Sequence, residues 1–146
     1  MKFRMMQPED YDGVYALWLS CKGMGLNSVD DSRAGIEKFL WRNPGTCLVA
    51  EADSGIVGVI LAGSDGRRGY IYHTAVAPSQ RHKAIGSKLV EAALAALREQ
   101  GIVKAALVVF DKNENGNVFW KKQGFTVRED LVYRNKQLGE IVRIDT

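Results

Sequence analysis

The chain has 146 residues, 46% of them hydrophobic and 25% charged, with a formal net charge of +3. That length suits one domain able to bury a real core, and no apolar run approaches the roughly 20 residues of a membrane span. The charge suits an anionic ligand but falls short of the dense basic stripe that nucleic-acid binding requires.

The opening residues, MKFRMMQPEDYD, lack the apolar stretch and small-residue cleavage site of a secretory signal, which leaves the cytoplasm as the expected compartment. Cys21 and Cys47, without CxxC spacing, fit a reducing compartment as unpaired, partly buried residues. KFRMM at 2–6 predicts a short strand, and Pro8 then sits where a first helical turn tolerates proline, with Glu9 and Asp10 complementing the helix dipole. Val14, Leu17, Trp18 and Cys21 fall at helical spacing before Gly23 and Gly25 end the run. A second helix opens near Asp30, Asp31 and Ser32, with the two aspartates expected as its cap, and buries Ile36, Phe39 and Leu40. After the turn Asn43, Pro44, Gly45, the stretches TCLVAEA (46–52) and IVGVILAG (56–63) flank Asp53, Ser54 and Gly55 as a hairpin. A polar turn at 64–69 leads into YIYHTAVA (70–77), whose alternating Tyr, Ile, Thr and Val are strand chemistry.

Ile85, Leu89, Ala93 and Leu97 recur every fourth residue, Val90 and Leu94 widen the stripe, and Gly101 stands as a C-terminal stop. Strand, basic loop and helix N-terminus in that order make an anion cradle, because unpaired amides at a helix start point outward and the dipole favours negative charge there. KAALVVF (104–110) is apolar through its middle, as in a strand covered on both faces and paired in parallel across that helix. A short helix at 115–123 ends at Gly124, after which FTVRE and LVYRNK predict a final strand pair. LVYRNK and GEIVRI offer an edge for pairing two subunits as a homodimer. Without repeat, low-complexity tract or linker, residues 1–146 read as a single domain ordered β, α, α, three antiparallel strands, α, β, α, β, β.

This order, with V-x-P-x-x-R-x-x-A-x-G at 76–86 and N-x-x-G-x-x-F-W-x-x-x-G-F at 113–125, resembles the GNAT superfamily of acetyl-CoA-dependent N-acetyltransferases, in its small single-domain bacterial type, over nearly the whole chain. The resemblance implies a mixed α/β fold with a V-shaped central sheet flanked by helices. It implies acetyl-CoA as cosubstrate, no metal, and direct attack in a ternary complex by a primary amine on a small molecule, a protein N-terminus or a lysine. Carried over by residue, it puts the CoA pyrophosphate on the backbone of Arg81, His82, Lys83, Ala84, Ile85, Gly86 and Ser87. It puts the Val76 amide beside the thioester carbonyl and Asn113 against the pantetheine or the loop, and it places Trp120 where many members carry a proton-donating tyrosine. Gly116 stands where alanine is usual, and Ala84 replaces a common glycine, at a cost on the order of 1 kcal/mol if its φ is positive.

A thiol of pKa ~8.5 needs protonation worth only roughly 1.5 kcal/mol, whereas a lysine amine must give up its proton at about 4 kcal/mol near neutral pH. Candidate bases are Glu51, Tyr72 and His73, on strands beside the acetyl site and acting through water. Strict strand alternation puts Tyr72 and His73 on opposite faces, so only one should enter the cleft. Blander readings stand beside these: His73 satisfied by its neighbours, His82 facing solvent, Arg67 and Arg68 solvating a hairpin tip, Trp120 packing a core. In such a fold the segment 23–32 would border the acceptor cleft, so Asp30 or Asp31 could attract a cationic amine. Asp111 and Glu114 complete no metal-ligand set. Trp120 motivates the alternative function, a non-catalytic acyl-CoA-binding or sensing module.

Overall fold

The computed structural model describes residues 1–144. Strands β1 (Lys2–Met5), β2 (Leu48–Ala52), β3 (Gly55–Ser64) and β4 (Gly69–Val76) pair antiparallel in succession, and β5 (Ala105–Ala106) adds to β4 in parallel. The helices are α1 (Tyr11–Leu19), α2 (Arg33–Arg42), α3 (Ile85–Glu99) and α4 (Glu114–Lys122), with 3-10 turns at Pro8–Asp10 and Pro78–Gln80.

The central strand explains the two-sided core. Along β3, Val59 and Leu61 join Val14, Leu17, Trp18 and Ile36 from α1 and α2, while Ile60 and Ala62 join Leu89, Ala93 and Leu97 from α3. A strand buried on both faces reads as a continuous apolar run, which is what IVGVILAG is. The predicted stripe of α3 is buried as a unit, and the left-handed Gly101 closes it.

Strand β4 departs from regular alternation. Ile71 lies in the α3-side core and Ala75 in the α1-side core, although residues four apart in a regular strand share a face. The register passes from Leu61↔Tyr72 to Val59↔Ala75, so His73 and Thr74 together oppose Ile60, and His73 has φ 39°. This is a β-bulge, which re-aims the side chains around it. Pairing with β5 covers only Gly69↔Ala105 and Tyr70↔Ala106, and beyond it β4 keeps β3 on one side and has no strand on the other as far as Val76. That splay gives the sheet its V shape.

Three expectations need correction. The strand predicted over 104–110 is formed only at Ala105–Ala106 and is not covered on both faces, since Val108 is 59% and Phe110 37% exposed. The strand pair predicted from FTVRE and LVYRNK is not formed: residues 125–144 hold no strand, and Val127, Leu131, Val132 and Tyr133 are exposed. β-rich composition becomes a strand only against a partner ladder, and so short a β5 offers none. The GEIVRI segment pairs with its own chain, Ser28 N–H donating to Val142 O at 2.9 Å and Ile144 N–H to Leu26 O at 3.0 Å. Finally, Ser32 rather than Asp30 or Asp31 caps α2, its Oγ accepting from Gly35 N–H at 3.0 Å. Cys21 and Cys47 are unpaired and buried, and among the described residues no helix is long and apolar enough to cross a membrane.

Candidate active site

A cleft of about 1510 Å³ opens where β4 leaves β5. β4 supplies its floor, the α1–α2 connection and α2 one wall, and the loop after β4 with α4 the other.

The loop wall is a cradle of main-chain donors. His82 (φ 64°) and Ala84 (φ 62°), on either side of Lys83, are both left-handed, so the loop turns tightly into α3. Ala84 is also the N-cap of α3, and Lys88 N–H donates to its carbonyl at 3.1 Å, so the amides of Ile85, Gly86 and Ser87 precede the helical ladder. Gly86 allows α4 to close over the cradle, since a Cβ there would stand 3.1 Å from two Phe119 ring atoms. Gln123 Nε2 donates to Ser87 Oγ at 2.8 Å and ties the two helices together. Outward amides, the dipole of a 15-residue helix and the adjacent Arg81 fit a diphosphate. Lys83 is not among the residues that line the cleft; its Nζ donates to Gln80 Oε1 at 3.1 Å.

The floor adds one aimed amide. Ala77 N–H donates to Val57 O at 2.8 Å, so the neighbouring Val76↔Gly58 pair is the non-hydrogen-bonded kind, and the Val76 N–H and C=O point away from β3 into the splay. The carbonyl accepts from Arg81 Nε at 3.4 Å and lies 3.7 Å from Cys21 Sγ. Val76 itself lines the cleft, and its N–H has no partner on β3.

The bulge brings Tyr72 and His73 to the same cleft, contrary to strict alternation. His73 Nε2 donates to Asp31 Oδ1 at 2.8 Å; Asp31 is 2% exposed, and its other oxygen accepts from Asn27 N–H at 2.8 Å. A carboxylate oxygen accepts, so Nε2 carries a proton in this contact, and no hydrogen bond among the described residues reaches the other ring nitrogen, Nδ1. The buried Trp18 Nε1–H donates to His73 O at 3.0 Å and its ring meets the imidazole edge-on, so backbone and ring are both held. Tyr72 differs: burial first, then the charge of Asp30, lifts its pKa, so the phenol keeps its proton at neutral pH.

Glu51 does not line this cleft; its carboxylate faces Arg4 Nε at 3.2 Å on the β1 side of the sheet. Asn113 lines the cleft but caps α4, its Oδ1 accepting from Gly116 N–H at 3.0 Å. A Cβ at Gly116 would stand 2.5 Å from Asn113 Nδ2, so a larger residue there would displace the capping side chain. Trp120 lines the cleft while stacking edge-on against Phe119 and Phe125. Asp31 is the residue whose part sequence reasoning missed: it stood out as a helix cap, and nothing local marks its pairing with a strand residue. Among the described residues no three His, Cys, Asp or Glu side chains converge to hold a metal ion.

The profile of the acetyltransferase (GNAT) family matches residues 11–125. An acetyltransferase of Sodalis glossinidius is 29% identical over 140 residues, 96% of this chain and 97% of that protein. One of Photorhabdus laumondii is 33% identical over 114 residues, 78% of each. Among solved structures, Ard1 from Thermoplasma volcanium has a TM-score of 0.77 at 25% identity, over 87% of this chain and 83% of that one. The PaiA N-acetyltransferase of Thermoplasma acidophilum, in complex with coenzyme A, has a TM-score of 0.74 at 23% identity, over 88% of this chain and 91% of that one.

Proposed function

Because the chain belongs to the acetyltransferase (GNAT) family, we propose that it transfers the acetyl group of acetyl-CoA to a primary amine by direct attack, with His73 as the base and Asp31 as the group that orients it. The observation that carries this reading is the 2.8 Å contact between His73 Nε2 and Asp31 Oδ1, which leaves the second ring nitrogen free at the cleft.

The amides of residues 81–87 and the N-terminus of α3 hold the diphosphate, and Gly86 admits it without a side chain in the way. The amine nitrogen attacks the thioester carbonyl as its C–S bond breaks, and Nδ1 of His73 takes the ammonium proton directly or through one water. As charge builds on the carbonyl oxygen, the Val76 N–H meets it, a type of contact worth roughly 3 to 4 kcal/mol where measured. No phenol is needed at Trp120: with a thiol pKa of ~8.5, departure as the thiolate costs only about 1.5 kcal/mol over departure as the thiol near neutral pH, and the thiolate then takes a proton from solvent. The whole chain works as one N-acetyltransferase domain.

A thiol-release assay with acetyl-CoA and a panel of amines tests this. At least one amine should be turned over, and His73→Gln should lower kcat about 100-fold while CoA still binds. CoA binding without acetylation of any amine in a broad panel would leave an acyl-CoA-binding module and overturn the reading.

A further inference from the structure

Arg4, Arg33 and Arg128, away from the cleft, are each paired with an aspartate at 2.6 to 2.8 Å, while most other cations, such as Arg68, Lys88 and Arg98, have no carboxylate within ion-pair reach among the described residues, so what marks a cation here is its place in the cleft. Lys38 and Arg42 line the cleft, are exposed, and have no carboxylate within ion-pair reach among the described residues. They lie one helical turn apart on α2 and flank Phe39 in sequence, so they share its side of the helix. Favourable interaction with the C-terminal end of the helix dipole accounts for Arg42 but not for Lys38, which lies a turn earlier.

Their place in the cleft separates them from the diphosphate. The Phe39 ring meets Tyr72 edge-on at 5.8 Å between centroids, which puts this part of α2 at the Tyr72 end of β4. From Tyr72 the strand runs past His73 to Val76 before the cradle begins, roughly 13 Å of extended chain. Lys38 and Arg42 thus stand on the far side of His73 from the cradle, where the phosphates of CoA do not need them. The carboxylate of Asp31 is taken up by His73 and Asn27, and that of Asp30 accepts from Asn27 Nδ2 at 3.0 Å. The acceptor end therefore offers a proton acceptor for an amine, and beyond it two cations that line the cleft.

Resting on the acetyltransferase reading above, we infer that the acceptor is a primary amine carrying an anionic group, a carboxylate or a phosphate, which Lys38 and Arg42 bind while the amine meets His73. Fork-shaped Arg42 and the mobile point charge of Lys38 suit either anion.

Matched pairs decide between the sources of that charge: β-alanine against β-alaninamide, and phosphoethanolamine against ethanolamine, with kcat/KM corrected for the fraction of unprotonated amine. The anionic member of at least one pair should be preferred about tenfold, through KM. The double variant Lys38→Gln/Arg42→Gln should bring that ratio to about one, with CoA calorimetry showing that it still folds. Preference for the neutral member in both pairs, or a ratio that survives the double substitution, overturns the inference and leaves the acetyltransferase reading standing. CoA binding with no acetylation of any amine in the panel overturns both.

Discussion

His73 and Asp31 are separated by 42 positions, and the 2.8 Å bond between them joins a strand bulge to the loop that precedes α2. Asp31→Asn keeps the shape but sets an amide where two donors, His73 Nε2–H and Asn27 N–H, both require an acceptor. One donor is left facing another, so the ring loses its fixed tautomer. The expected result is a kcat lowered about tenfold or more with KM for acetyl-CoA little changed, and imidazole nitrogen resonances that report mixed tautomers. Unaltered resonances and kcat would remove Asp31 from the mechanism.

Trp18 holds the same bulge from below. Its indole N–H donates to His73 O at 3.0 Å from a fully buried position. Trp18→Phe leaves that carbonyl without its donor and opens a gap beside Val14 and Leu17, for a combined cost of about 3 kcal/mol. Urea unfolding should show the loss, and kcat should fall with it because the His73 backbone is no longer fixed.

Legibility followed the range of the interactions. The α3 stripe from Ile85 to Leu97 was readable because helical periodicity is a local signal, and the two-faced burial of β3 follows from its unbroken apolar run. The order of strand, loop and helix start was readable, while the φ of Ala84 was left conditional in the sequence and is 62° in the structure. The bulge was not, since YIYHTAVA alternates regularly and the extra residue shows only in its register against β3. Asp31 was misread for a related reason: beside Ser32 an aspartate resembles a cap, and its actual partner lies on another element. FTVRE and LVYRNK were misread because strand propensity is conditional on a neighbouring edge, which β5 does not extend far enough to provide.

Ala84 adopts φ 62°, a left-handed conformation that costs a residue with a Cβ on the order of 1 to 2 kcal/mol. Ala84→Gly removes that strain but gives the unfolded chain more freedom, an opposing effect of roughly 0.4 to 1 kcal/mol. The expected net gain is about 0.5 to 1 kcal/mol, seen as a higher denaturation midpoint with unchanged CoA affinity. A loss of stability would mean that the loop does not hold this conformation in solution.

Gly86 tests the cradle itself. A Cβ there meets the Phe119 ring at 3.1 Å, and a glutamate adds negative charge at the N-terminal end of α3, where the proposed diphosphate site lies. Gly86→Glu should weaken CoA by at least about 100-fold, roughly 2.7 kcal/mol, in a calorimetric titration. Gly86→Ala, with the crowding but no charge, should fall between that variant and the parent.

The last prediction concerns acid. Arg4 donates to both oxygens of Asp10 at 2.8 Å, and Gln7 N–H donates to Asp10 Oδ2 at 2.8 Å. The Arg4 guanidinium is the main cause holding the Asp10 carboxyl below the usual range, against a smaller opposing effect of burial. A carboxyl whose folded-state pKa is depressed binds fewer protons folded than unfolded, so stability rises with pH between the two values. The contribution is fully present above the unfolded value of about 3.9 and is lost as pH falls through the lower, folded one. Asp10→Asn cannot titrate, so it should be less stable than the parent at pH 7, and the gap should narrow on acidification below about pH 4. Urea unfolding of both proteins between pH 7 and pH 2 reads this directly. A gap that stays constant across that range would show that the Arg4 contact contributes nothing to folding.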